Sequence, residues 1–235
     1  MRVLITRPEE DAAALVAGLA RLGVEAEVAP LLSIHLEPGP ELNLIGVQAV
    51  LLTSANGARA LAARTRARTL KVLAVGQSTA RAARDLGFDD VASADGDVDD
   101  LARLAAAALD PTAGSLLHAA GSKTAGDLAK YLGDAGFRYR REALYRAETA
   151  ERLPDAARDG LAGARFDGVL LYSPRTGATF RRLIEAEGMA ENLQNVTAYC
   201  LSANVAAKVH ALPWAAVRTA ARPDQAAMLE LFGEK

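Results

Sequence analysis

Val50 to Leu61 reads VLLTSANGARAL, and Val169 to Phe180 reads VLLYSPRTGATF. Each is an apolar run that stops at a hydroxyl pair, Thr53 and Ser54 in one copy and Tyr172 and Ser173 in the other. Turn-forming residues and a helical pattern follow. A continuous apolar run is the signature of a parallel strand buried on both faces, and its C-terminal end is where open α/β sheets bind ligands. Two copies predict two such strand mouths, with the ligand between them if they face each other.

The duplication extends outward. Leu4 laid on Leu117, an offset of 113, brings Leu15 onto Leu128, Leu19 onto Leu132, Gly23 onto Gly136 and Leu31 onto Leu144 without a gap. Ala74 laid on Cys200, an offset of 126, brings Ala80 onto Ala206, Leu86 onto Leu212 and Val91 onto Val217. The chain therefore reads as A, B, A′, B′. Pro38-Gly39-Pro40 is the first candidate linker, and it falls between A and B. That placement predicts one domain over 38–147 (B with A′) and a discontinuous one from 1–35 with 152–235 (A with B′). Two crossings would make a two-segment hinge. A single sheet holding both repeats is the competing arrangement.

Locally, Val3 to Thr6 is a strand, a helix follows with acids in its first turn and stops at Gly23, and a second strand runs from Glu27 to His35. Ser115 to Ala119 is a strand, with Gly121-Ser122-Lys123-Thr124 opening the helix that carries Leu128 and Leu132.

Composition narrows the function classes. Hydrophobic residues are 51% but aromatics only 5%, so Ala, Leu and Val must fill the cores. A net charge of −2 gives no electrostatic case for nucleic acid. One cysteine, Cys200, excludes an intrachain disulfide and any Cys-cluster metal site. No apolar stretch nears the roughly 20 residues of a membrane span, and the start lacks a signal-peptide pattern, which points to the cytoplasm.

Few residues carry chemistry on their own. Gly121-Ser122-Lys123-Thr124 lacks the preceding glycine of a phosphate loop. His35, His118 and His210 read as packed or surface histidines, without metal-ligand spacing. The acids Glu9, Glu10 and Asp11, like Asp95 to Asp100, serve helix starts. Tyr145 stands in the strand leading toward the second crossing, and Ser173 repeats Ser54. Arg7, Lys123, Arg146 and Arg175 lie at strand ends or crossings, pointing to an anionic ligand.

The order and spacing of VLITRP, LLTSANGARAL, AVGQSTARAARDLGF, ALYRAE and LLYSPRTGATF resemble the uroporphyrinogen-III synthase family over essentially the whole chain. The resemblance implies two flavodoxin-like, parallel-sheet α/β domains joined by a two-stranded connector, the first domain built from both chain ends. It implies cyclisation of hydroxymethylbilane with loss of water and inversion of ring D, with no cofactor or metal. Tyr145 matches the family's tyrosine and is expected to assist departure of the hydroxyl. Substrate binding is expected from Arg7, Thr53, Ser54, Asn56, Gly76, Thr79, Gly121, Ser122, Ser173, Arg175 and Ser202, with helix N-termini after Ser54, Gly76, Gly121 and Ser173 offering N–H groups to carboxylates. Where many members keep a Gly-x-x-Thr-Ala turn in the last repeat, this chain reads Ser202-Ala203-Asn204-Val205-Ala206. A monomer, with transient contact to the preceding pathway enzyme, fits this reading. The rival class is a non-enzymatic two-domain sensor closing on a small anion.

Overall fold

The computed structural model describes residues 1–123 and 127–233; Thr124 of the Gly-Ser-Lys-Thr turn lies outside them. In chain order the elements are β1 (Arg2–Ile5), α1 (Glu9–Arg21), β2 (Glu25–Val28), β3 (Leu32–Leu36), β4 (Val47–Leu52), α2 (Ala55–Arg64), β5 (Lys71–Ala74), α3 (Gln77–Asp85) and β6 (Asp90–Ser93). Next come α4 (Val98–Ala108), β7 (Ser115–Gly121), α5 (Leu128–Asp134), β8 (Arg138–Thr149), α6 (Asp155–Ala162), β9 (Gly168–Leu171) and α7 (Pro174–Ala186). A 3₁₀ turn, β10 (Thr197–Cys200), α8 (Ala203–Val209), β11 (Ala216–Thr219) and α9 (Gln225–Glu230) complete the described chain.

These elements form two compact units, Met1–Ser33 with Glu148–Lys235, and Ile34–Ala147. The first holds a parallel sheet ordered β2-β1-β9-β10-β11, which is the flavodoxin order when its strands are numbered by appearance. The second sheet is ordered β3-β8-β7-β4-β5-β6 and is parallel from β8 to β6. The chain crosses between units inside β3 and inside β8. These two connector strands are neighbours, tied by Glu37 N–H to the Leu144 carbonyl at 2.8 Å and Ala150 N–H to the Leu31 carbonyl at 3.1 Å, an antiparallel spacing. Pro38-Gly39-Pro40 comes after the first crossing rather than at it.

The repeat persists down to strand register. Leu4 faces Val169 as Leu117 faces Val50, and Ile5 faces Leu170 as His118 faces Leu51. Alternation along the strands puts apolar side chains on both faces of each sheet, as a doubly wound fold requires. In the first unit Leu4, Val169, Leu171 and Ala198 pack on one face, and Val3, Ile5 and Leu170 on the other. In the second, Val50, Leu52 and Leu117 oppose Ala49, Leu51 and Leu116. Gly23 and Gly136, copies of each other, end α1 and α5 with φ of 71° and 84°, a left-handed turn that a side chain would strain.

Two expectations need correction. The single strand over Glu27 to His35 is two strands in different sheets, β2 and β3, with Pro30 between them. No helix begins at Gly121: β7 runs through that residue and α5 starts at Leu128, where the Asp127 side chain accepts from Lys130 N–H at 3.1 Å.

Candidate functional site

The second unit gathers hydroxyls at the C-terminal end of β4. Ser54 caps α2: its backbone is extended (φ −160°, ψ 157°) and its Oγ accepts from Gly57 N–H at 3.1 Å, meeting one of the donors a helix start leaves open. The same Oγ lies 2.7 Å from the Tyr145 hydroxyl, on a strand 91 residues away. Gly57 lets α2 sit this close to the sheet, since a Cβ there would fall 2.7 Å from the Ala119 carbonyl oxygen.

A β-bulge aims Tyr145. Ala120 faces Ala143, but the next residue, Gly121, faces Tyr145, so β8 carries one extra residue. Consecutive side chains normally point to opposite faces, whereas Leu144 and Tyr145 both pack against the same core. The tyrosine ring lies over Gly121, where a Cβ would stand 2.9 Å from two ring carbons and 3.1 Å from the phenol oxygen. The Gly121 carbonyl accepts from Arg141 Nη2, and Ser122 N–H donates to the Tyr145 carbonyl at 2.8 Å. Among the described residues, then, no helix start directly follows Gly121 to offer the expected amides. Ser122 spends its N–H in the ladder, while Gly121 contributes space for the ring.

Beneath these hydroxyls runs a second polar chain. Thr53 Oγ1 lies 3.2 Å from His118 Nε2, and His118 Nδ1 lies 2.7 Å from the Tyr139 hydroxyl. His118 is 5% exposed, and burial, reinforced by the charge of Arg141, lowers its pKa from 6.5 to about 4. Burial likewise raises the Tyr139 phenol. His118 is thus packed and neutral at pH 7.

Other expected residues are spread over both units. Asn56 stands in the first turn of α2, its Oδ1 accepting from Arg59 Nη1 at 2.6 Å. Gly76 caps α3 with extended backbone and no side-chain bond, leaving the amides of that start uncapped by any side chain. Thr79, in the first turn of α3, is 4% exposed. Arg146 pairs with Glu37 at 2.9 Å.

In the first unit, Ser173 caps α7, accepting from Thr176 N–H at 3.0 Å and lying 2.8 Å from the Thr176 hydroxyl, with Pro174 at the first helical position. Arg175 follows, half-buried. The Arg7 guanidinium lies 4.5 Å over the Tyr172 ring, 3.6 Å from the Asp11 carboxylate and 3.5 Å from Gln225 Oε1. Burial pushes the Tyr172 phenol up to about 12, against the opposing charge of Arg7. Ser202 precedes the seven-residue α8 without capping it, and Val205 is buried in the core, which accounts for an apolar residue in that turn.

The structure thus brings together Thr53, Ser54, Gly121 and Tyr145. Sequence reasoning missed the contributions of Tyr139 and Arg141 and the link from His118 to Thr53. One signal was present: under the 113 offset His118 is the copy of Ile5, a polar residue at a core position. Among the described residues, no group of three or more His, Cys, Asp or Glu could hold a metal ion, and no helix is long and apolar enough to cross a membrane.

The family model for uroporphyrinogen-III synthase HemD matches residues 13–230. Among solved structures, the chain is similar to the uroporphyrinogen-III synthetase of Helicobacter pylori, at 17% identity and a TM-score of 0.65, covering 98% of each chain. It is also similar to a mutant uroporphyrinogen III synthase of Thermus thermophilus, at 20% identity and a TM-score of 0.54, covering 99% of this chain and 97% of that one. These likenesses speak to the fold. No curated protein matches the chain by sequence.

Proposed function

We propose, from the premise that this chain belongs to the uroporphyrinogen-III synthase family, that Tyr145 assists departure of the substrate hydroxyl and that the helix starts and hydroxyls at the strand ends hold the substrate. The enzyme is a cyclising lyase: it closes hydroxymethylbilane, a linear tetrapyrrole bearing many carboxylates, to uroporphyrinogen III with loss of water and inversion of ring D. The hydroxyl of the terminal hydroxymethyl group leaves as water, the substituted carbon of ring D bonds to the methylene of the resulting azafulvene, and the spiro intermediate breaks and recombines.

The observation that carries the assignment is the 2.7 Å contact between Ser54 Oγ and the Tyr145 hydroxyl. Ser54 Oγ already accepts from Gly57 N–H, so its own proton is available to Tyr145. When the leaving hydroxyl, or a water bridging to it, takes up the phenol proton, Ser54 supplies its own proton to the phenol oxygen in exchange. Aligned donors polarise one another, which strengthens the terminal donor. Such assistance contributes about 10²–10⁴-fold.

Because the free tetrapyrrole also cyclises unaided, to the uninverted isomer, the larger contribution is orientation. The amides at the starts of α2, α3 and α7 suit carboxylates, and Thr53, Asn56, Ser173, Arg175, Arg7 and Ser202 supply hydroxyls, an amide and cations near strand ends. Thr79 supports the α3 start from within. We read the enzyme as a cytoplasmic monomer receiving its substrate by transient contact with the preceding pathway enzyme. A solution mass near 24.6 kDa supports the monomer, and twice that mass refutes it.

The test is to supply hydroxymethylbilane, oxidise the products and separate the isomers. Predominantly type III product is expected. Type I alone, at the spontaneous rate, refutes the function.

A further inference from the structure

The duplicated fold contains its own control for the part-buried polar chain that runs from Thr53 through the buried His118 to Tyr139. Under the repeat offsets, Thr53, His118 and Tyr139 correspond to Tyr172, Ile5 and Ala26. The register agrees: Leu116 faces Tyr139 as Val3 faces Ala26, and Leu51 faces His118 as Leu170 faces Ile5. In the first unit those three residues belong to one apolar cluster, with Ile5 fully buried. The same architecture therefore closes around an isoleucine and an alanine. Buried polar groups contribute little net stability and cost free energy when a partner is lost. The fold does not require the polar trio, which calls for another reason for its presence.

The geometry selects one proton arrangement. O–H donors make shorter hydrogen bonds than N–H donors, about 2.5–3.0 Å against 2.7–3.2 Å. The 2.7 Å contact between Tyr139 and Nδ1 fits a phenol donating to the ring, and the 3.2 Å contact between Nε2 and Thr53 fits the ring donating to the hydroxyl. Acidity agrees, since a phenol is a better donor and poorer acceptor than an alkyl hydroxyl. In this arrangement Thr53 Oγ1 accepts from His118, so its own proton must go elsewhere. At the end of β4, one residue from Ser54, that proton is a fixed donor.

We infer that His118 and Tyr139 are positioning residues that lock the Thr53 hydroxyl as an outward hydrogen-bond donor for a substrate carboxylate. Tyr139 O–H donates to Nδ1, Nε2–H donates to Thr53 Oγ1, and the Thr53 proton meets the anion. A neutral imidazole is needed to pass direction along the chain, and burial keeps His118 neutral at pH 7.

The role in catalysis rests on the synthase reading, whereas the proton arrangement does not, so two measurements separate them. The first is the imidazole ¹⁵N spectrum of the unliganded protein, with His118 assigned among the three histidines by its loss in His118→Leu. The Nε2–H form is expected in the wild type, with a mixture in Tyr139→Phe. An Nδ1–H form in the wild type overturns the proposal whether or not the protein makes type III product. The second is steady-state kinetics with hydroxymethylbilane. A hydrogen bond to a charged group is typically worth a factor of about 10 to 100, so Thr53→Val should raise KM at least about tenfold, with kcat held within about threefold. Thr53→Ser should restore KM. His118→Leu with Tyr139→Phe makes these two positions apolar, as Ile5 and Ala26 are in the first unit, and should fold, yet raise KM several-fold. Tyr139→Phe alone, which removes only the far hydroxyl, should move KM in the same direction. Wild-type KM in any folded member other than Thr53→Ser, or a loss confined to kcat, overturns the assignment.

Discussion

Replacing Gly121 with alanine tests whether the bulge in β8 serves Tyr145. The new methyl would stand 2.9 Å from two ring carbons and 3.1 Å from the phenol oxygen. Carbon atoms in contact rest about 3.5–4.0 Å apart, so the ring must retreat by roughly 0.6–1 Å. The contact to Ser54, now 2.7 Å, then opens past about 3.2 Å and ceases to be a hydrogen bond between hydroxyls. Overpacking costs about 1–3 kcal/mol, less than the usual folding margin of about 5–15 kcal/mol, so the variant should fold. A misplacement of about 1 Å in a reacting group costs on the order of 100-fold in rate. The assay is single-turnover formation of type III isomer, run for Gly121→Ala, Tyr145→Phe and the double variant. If the methyl acts by moving the phenol, it should cost less than about threefold once the phenol is gone, a strongly non-additive cycle. Wild-type turnover in Gly121→Ala, or fully additive losses, would refute the reasoning.

Tyr145→Phe alone should slow turnover by about 10²–10⁴-fold without abolishing it, and wild-type turnover would remove the phenol from the mechanism. His118 has a folded pKa of about 4 against 6.5 when free, so the unfolded chain takes up the proton first as pH falls. Stability from this group is intact above pH 6.5 and declines by about 3 kcal/mol between pH 6.5 and pH 4. Urea unfolding of His118→Gln should show a smaller decline across that window than the wild type, and parallel curves would contradict the burial argument. Thr6→Val removes a buried 2.7 Å bond to the Leu170 carbonyl that ties β1 to β9. It should cost about 1–3 kcal/mol in urea unfolding with KM unchanged.

What the sequence revealed follows from how local each cause is. Strands β1, β4 and β9 were legible because burial on both faces writes a continuous apolar run, and the serine caps because an N-cap bonds an amide three residues on. The repeat offsets carried the duplication, and its copies share one strand register. Less visible was the change of sheet within the apparent strand over 27–35, where β2 and β3 part. The turn at Gly121 misled because a small residue under a distant aromatic ring looks the same as one opening a helix. Tyr139 is 21 residues and Thr53 is 65 residues from His118, so that chain exists only after β4, β7 and β8 pair, and the bulge that turns Tyr145 leaves no compositional trace.

The pairing of β1 with β9 has a consequence during synthesis. Arg2 N–H donates to the Asp167 carboxylate, 165 residues later in the chain, at 2.6 Å. At about 5–20 residues per second, the ribosome needs roughly 10–30 s to make that span. For that interval β1, with Val3, Leu4 and Ile5 meant for full burial, has only β2 to pair with and waits for β9 while the intervening unit is completed. Chaperone demand and yield in the cell should therefore respond to changes in β1 more sharply than the melting temperature of the finished protein does.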